Sequence, residues 1–301
     1  MSQAEAVSIL QRIEAVGAHF SGELSVSAAN LTTGETIEVN SSAVLPTASV
    51  IKVPILIALL RAVANGDADL DTRMTMTAEE RTGGSGVLRL FAGGLQPTVH
   101  DVTTIMIAVS DNTATNMIID LLGGVDVVDR AMVDLGLPGI RLFNRVDFDI
   151  INDDASNLGV ASTSDLRRLN VLIAEGKAFS PFVSQTAEKI MSTQQYLDQG
   201  MRYVLLNPYA GDLGVVADIT AATKTGFITG VRVDSGIVRF GPGGGFAYAL
   251  ANRGSSDHTF LPESEGAIAN GVIGRALTEY WWPGEPGTAP VVGSPFLDEW
   301  S

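Results

Sequence analysis

The sequence contains no cysteine. That excludes disulfides, zinc–thiolate sites and cysteine nucleophiles, and it leaves the redox compartment open. Histidine is nearly absent. His19, His100 and His258 are scattered, with no metal spacing such as His-Glu-x-x-His, and are read as structural. Only four of the 19 basic residues are lysine: Lys52, Lys177, Lys189 and Lys224. Positive charge is short overall, and the net charge is −15. Such a field repels nucleic acid and anionic lipid, so neither nucleic acid nor a membrane is an expected partner. The longest apolar run, residues 53–60, suits a buried helix and falls short of the roughly 18 residues a membrane span requires. The start, Met1-Ser2-Gln3-Ala4-Glu5, has neither a basic nor an apolar leader region. The expectation is a cytoplasmic protein, or a secreted or periplasmic one from which a signal has been removed.

What is present is 46% apolar residues over 301 positions, enough for one large core or two smaller ones. Ile9, Ile13 and Val16 recur at helical spacing and predict a first helix over 3–18. Residues 23–30 and 35–40 alternate apolar and polar around the turn Leu31-Thr32-Thr33-Gly34, which predicts a β-hairpin. A helix is expected from about 49 to 65, closed by Asn65-Gly66. From 67 to 207 the pattern is mainly helical, clearest over 101–122 with an interruption near Ser110, and again over 164–175 and 181–193. Residues 141–158 are irregular and polar and read as a long surface loop. Strands return at 218–223, 230–240 and 246–252, then a helix at 263–280, and a proline-rich tail from Pro283 that reads as extended or loose. Strands at both ends of a helical block predict an α+β protein. One sheet, flanked by helices, is assembled from residues 1–60 and 208–301. Residues 61–207 form an inserted all-helical domain, with a cleft between the two.

Three short segments carry chemistry. Ser49 and Lys52 lie three residues apart, on one helix face. A serine hydroxyl becomes a nucleophile when a neighbour removes its proton. A lysine does this when burial or a nearby positive charge makes it neutral. The apolar run after Lys52 argues for such burial. Ser110-Asp111-Asn112 supplies a hydroxyl able to relay a proton to a leaving nitrogen, and an amide able to hold both a lysine and a substrate carbonyl. Lys224-Thr225-Gly226, at the end of a predicted strand, offers a cation and a hydroxyl for a substrate carboxylate and a glycine that permits close backbone approach. Each segment alone has a plainer reading, as a helix cap, a turn or a strand connection. All three in this order, each in fitting context, arise by composition on the order of once in a thousand or less if independent.

Ser-x-x-Lys, Ser-Asp-Asn and Lys-Thr-Gly together are the signature of class A β-lactamases and penicillin-binding proteins. The chain resembles the class A branch from about residue 20 to 280. Residues 107–116 and Gly123-Gly124 are similar to that family's helical core. The resemblance implies a five-stranded antiparallel sheet with an all-helical domain, a β-lactamase/transpeptidase-like fold with the active site in the cleft. It implies that Ser49 is acylated, that Lys52 is its base or proton partner, that Ser110 relays protons and that Asn112 orients Lys52 and substrate. Lys224 and Thr225 then bind the substrate's acid group, and Lys224 lowers the pKa of its neighbours. The Ser49 and Phe227 backbone N–H groups form the oxyanion hole. No cofactor is implied, and the partner is a small amide, lactam or ester.

The sequence departs from the family in several places. The family has Glu-x-x-Leu-Asn in the loop after the helical lobe, where the glutamate activates the deacylating water, whereas residues 141–152 contain no glutamate. Asp147 or Asp149 is a possible substitute, one methylene shorter, and each also reads as a solvated loop residue. Phe227 is bulky where the family usually has a small residue. Arg232 has two readings, a second cation at the site or a partner for Asp234. The expected function is therefore a serine hydrolase opening a β-lactam or related cyclic amide through a Ser49 acyl-enzyme. The alternatives are a cytoplasmic esterase or amidase of specialised metabolism, a D,D-peptidase, and a lactam-acylated module that does not deacylate.

Overall fold

The computed structural model describes residues 3–152, 154–241 and 244–293. The last eight residues of the proline-rich tail lie outside the described residues. The strands β1 (Glu23–Asn30), β2 (Thr36–Val39), β6 (Ile219–Ile228), β7 (Val231–Phe240) and β8 (Gly245–Arg253) form one antiparallel sheet in the order β2-β1-β8-β7-β6. The hairpin β1–β2 forms as expected, and β8 from the far end of the chain pairs along all of β1, Glu23 facing Arg253 and Asn30 facing Phe246.

Side-chain alternation gives the sheet two different faces. On β8, Phe246, Tyr248 and Leu250 pack with Ile9, Ile13 and Val16 of α1 (Gln3–His19) and with Ile273 and Leu277 of α9 (Glu265–Trp281). Ala249 and Ala251 point the other way, into a second core built largely of helices. Small residues on that face let α7 (Thr163–Ala174) lie against β1, β7 and β8. Its Asn170 reaches into the sheet, donating to Ser235 Oγ at 2.6 Å and Tyr248 O at 3.2 Å. By sequence number α7 falls within 61–207.

The expected helix at 49–65 is a 3-10 turn, Ala48–Ile51, running into α2, Lys52–Asn65, which closes on left-handed Gly66. Residues 48–65 have a mean hydropathy of 1.7, enough in length and composition to cross a membrane, a segment the run-length reading passed over. Two-thirds of it, 67%, is buried by the chain itself, so α2 is the central helix of the second core. Around it stand α3 (Val99–Ala108), α4 (Asn112–Leu121), α5 (Val125–Asp134) and α8 (Pro181–Met191). The predicted interruption near Ser110 is the sharp break between α3 and α4.

Three expectations need correction. Residues 141–158 are not simply loop. They hold β4 (Arg141–Leu142), the single turn α6 (Phe148–Ile151) and a 3-10 turn at Ala155–Asn157. β4 joins β5 (Gly159–Ser162) and β3 (Val44–Pro46) in a small sheet of order β3-β5-β4. Lys224-Thr225-Gly226 lies within β6, not at its end. The described part of the tail is held, because Leu205 N donates to Pro290 O at 2.7 Å and Val292 N to Tyr203 O at 2.9 Å.

Candidate active site

Three elements meet at Ser49. The first is the 3-10 turn that carries it into α2, so that Lys52, one turn on, points back at the hydroxyl. Lys52 Nζ lies 3.1 Å from Ser49 Oγ, 3.0 Å from Ser110 Oγ, 2.7 Å from Ser110 O and 2.9 Å from Asn112 Oδ1. Its exposure is 0%. Burial holds the Lys52 ammonium well below the usual lysine range, the charge of Lys224 pushes the same way, and Asp111 opposes weakly. A buried, neutral amine beside a hydroxyl is a competent base.

The second element is the break between α3 and α4. Ser110 has φ +55°, a left-handed backbone that costs a non-glycine residue about 1 kcal/mol or more. This kink turns both the carbonyl and the hydroxyl of Ser110 onto Lys52. Asp111 stabilises it without touching Lys52. Its Oδ1 accepts from Ala114 N at 2.9 Å, capping α4, and its Oδ2 accepts from Val87 N and Leu88 N at 2.6 and 2.8 Å. The segment 82–88 is thereby drawn over the site. Gly86, φ +102°, is required there because a Cβ would strike the Asp111 carboxyl group.

This segment supplies a residue that the motifs did not reveal. Ser85 Oγ donates to Ser110 O at 2.6 Å and lies 3.3 Å from Asn112 Oδ1. Asn112 is fixed from its other side by donation to Gly83 O at 2.9 Å. The surplus of glycine in Thr82-Gly83-Gly84-Ser85-Gly86 was the available signal, but glycine marks a close approach without saying to what.

The third element is β6, the edge strand of the main sheet. Gly226 is where it meets the nucleophile: a Cβ would stand 2.7 Å from Ser49 N and 3.0 Å from Thr47 O. Lys224, on the same face of the strand, is fully buried and donates to Thr225 O at 2.7 Å. Burial lowers its pKa to about 7, against the opposing pull of Asp234 and Asp198. Among the described residues no hydrogen bond joins Lys224 to Ser49 or Ser110, and its influence on Lys52 is through charge. Thr225 faces Asp234 across the β6–β7 ladder and so shares its side of the sheet rather than that of Lys224. Its Oγ1 is buried without a described partner, as is Asp234 Oδ1. Burial raises the Asp234 carboxyl to about 7, although Gly200 N, at 2.7 Å, and Tyr248 OH, at 3.1 Å, donate to its Oδ2.

Besides Thr225, two expected site residues do not join this cluster. Asp147 is exposed, and its Oδ1 accepts from Asp149 N at 2.9 Å, capping α6. It lines a neighbouring cavity with Arg81 and Arg145, not the one onto which Ser49 opens. The capping preference of aspartate accounts for this placement. Arg232 does not pair with Asp234. Its guanidinium donates to Ile228 O at 3.0 Å, Val231 O at 2.9 Å and Thr259 O, and lies over the Phe260 ring at 5.6 Å. Among the described residues it forms no ion pair. Phe227 does line the Ser49 cavity, with Phe260 packed edge-on against it. No cluster of three or more His, Asp or Glu is placed to hold a metal among the described residues.

A serine hydroxyl with a buried lysine and a second serine beside it, set between a helical core and the edge of an antiparallel sheet, is the arrangement of a serine hydrolase of the β-lactamase type. The chain belongs to the β-lactamase enzyme family, whose model matches residues 8–281. The solved β-lactamase from Sphaerobacter thermophilus is 28% identical, with TM-score 0.81, over 95% of this chain and 100% of its own. A PBP-A mutant, solved as an acyl-enzyme complex with penicillin G, is 26% identical, with TM-score 0.76, over 90% of this chain and 95% of its own. The class A β-lactamase from Mycobacterium abscessus, at 18% identity, TM-score 0.77, and coverage of 89% of this chain and 97% of its own, shares the fold. No curated protein matches the chain significantly.

Proposed function

We propose that Ser49 is acylated by a β-lactam or a related cyclic amide and that the acyl-enzyme is released slowly. The observation that carries the first half is Lys52 Nζ, wholly buried, 3.1 Å from Ser49 Oγ and 3.0 Å from Ser110 Oγ. Ser49 Oγ attacks the carbonyl carbon and Lys52 takes its proton. As the C–N bond breaks, Ser110 passes a proton to the nitrogen and recovers one from Lys52. The Ser49 and Phe227 backbone N–H groups hold the oxyanion, and Lys224 attracts the substrate's acid group. The penicillin G acyl-enzyme of the related PBP-A mutant supports this course.

Slow release follows from what surrounds the ester once it forms. Hydrolysis needs a base for the incoming water, which the class A enzymes supply as a loop glutamate separate from the lysine. Among the described residues, none that lines the Ser49 cavity is acidic, and Asp147 faces elsewhere.

Intact-mass spectrometry over time, with a small lactam panel, tests both halves. The expected result is a stoichiometric adduct equal to the whole lactam, long-lived in the native protein and absent from Ser49→Ala. No adduct with any lactam, together with turnover of p-nitrophenyl esters, would instead assign the site to an esterase. Rapid loss of the adduct would remove the slow-release half.

A further inference from the structure

Ser49 opens onto a cavity of about 330 Å³. The groups that the acyl-transfer reading assigns to the leaving nitrogen and the acid group, Ser110 and Lys224, do not line it. The cavity is therefore the place for the substituent on the acyl side of the bond that Ser49 attacks.

Its walls are uncharged and mainly apolar, with Ser85, Asn112, Asn152 and Thr229 as the polar members beside Ser49. On one side stand Phe227 and Phe260, ring centroids 6.2 Å apart at 78°. Phe227 is braced from behind by Tyr196, also at 6.2 Å, and Phe260 by the Arg232 guanidinium. On the other side stand Ile151, 2% exposed, and Phe148, whose ring packs so closely on Gly84 that a Cβ there would come within 2.9 Å of its Cζ. Phe148 and Phe260 are 47% and 58% exposed, so large apolar rings stand at the mouth of a cavity in an otherwise acidic protein. Among the described residues no lining side chain carries a charge, and the nearby Arg232 is occupied by three backbone carbonyls.

We infer that this cavity selects substrates whose acyl substituent is neutral and apolar, an aromatic or branched aliphatic group, and rejects charged ones of either sign. Rings braced on their outer faces are preorganised to receive a flat or bulky apolar group. A charged substituent would lose water there and meet no opposite charge among the described residues. The inference rests on the acyl-enzyme reading above.

The test compares three penicillins that differ only in the acyl substituent: benzylpenicillin, its α-carboxylated derivative and its α-amino derivative, at about pH 6, where the amine is protonated. The readout is the rate of Ser49 adduct formation by intact mass. The neutral compound is expected to react roughly tenfold or more faster than both charged ones. In Phe260→Lys, an exposed position whose replacement spares the core, the anionic compound is expected to gain and its deficit to shrink to about threefold or less. The cationic compound is the control for the general field of a −15 protein. If it reacts fastest, or if all three react alike, the inference is overturned while the acyl-enzyme reading stands. An unchanged ratio in Phe260→Lys also overturns it, by removing this wall from selection. Absence of any adduct with all three overturns the acyl-enzyme reading and this inference with it.

Discussion

In the proposed mechanism Lys52 must be neutral to take a proton from Ser49, and Lys224 must be charged to help keep it so. These demands give opposite dependences on pH. Burial and Lys224 hold Lys52 well below the ordinary lysine range, so acylation rises with pH as the remaining Lys52 ammonium is lost. Lys224 carries its charge below about pH 7 and loses it above. That loss removes a force that keeps Lys52 neutral and removes the attraction for a substrate carboxylate. Acylation of Ser49 by a carboxylated lactam is therefore expected to pass through a maximum, with its falling limb near pH 7. In Lys224→Arg the guanidinium stays protonated, so the falling limb should vanish while the rising limb remains. Stopped-flow acylation rates across the pH range check this; an identical falling limb in the variant would clear Lys224 of the role.

At the scale of the element, Asp111 shows how one motif residue serves structure while its neighbours serve chemistry. It caps α4 and draws residues 87 and 88 toward the site, and it makes no hydrogen bond to Lys52. Asp111→Ala removes a cap and two charge-assisted bonds, at a cost of about 3 kcal/mol or more. Urea denaturation should show that loss. Acylation should fall too, because Ser85, Ser110 and Asn112 lose their common support; a variant as stable as the native chain would refute the capping role.

The same elements show what the sequence could reveal. Ser49 with Lys52, and Ser110 with Asn112, were legible because each pair is local: a single helical turn or a single kink sets its geometry. The segment 82–88 was not, because Gly86 answers to Asp111 and Ser85 to Ser110, contacts made across about 25 residues. The placement of Asp147 and Arg232 was hidden for a related reason. Their side chains had nearer partners, a helix N-terminus for one and backbone carbonyls for the other, that no spacing rule exposes. The hairpin, the late strands and the final helix were legible from alternation and periodicity, whereas the small β3-β5-β4 sheet was not. Its strands are too short to show a period, β4 having only two residues.

For the whole molecule, the main sheet divides the interior into two cores with different duties. The core that contains α2 packs around the helix of Lys52 and the kink at Ser110, while, among the described residues, the core under α1 and α9 reaches the site only through Tyr248, which donates to Asp234. Ile13, 1% exposed, belongs to the second. Ile13→Ala is expected to cost about 2–5 kcal/mol and to lower Tm by roughly 4–10 °C. Below the transition, the Ser49 acylation rate should equal that of the native chain. Calorimetry and intact-mass kinetics on the same sample check both statements, and a slowed rate in folded protein would show that the sheet transmits strain.

Gly226 sets a limit on how this scaffold can be altered. Strand and nucleophile turn touch there main chain to main chain, a Cβ standing 2.7 Å from Ser49 N. No rotamer choice or side-chain trimming can widen or narrow that seam. A laboratory evolution campaign that seeks new reactivity must leave this joint alone and remodel the aromatic rim, where bulk can change without moving the nucleophile.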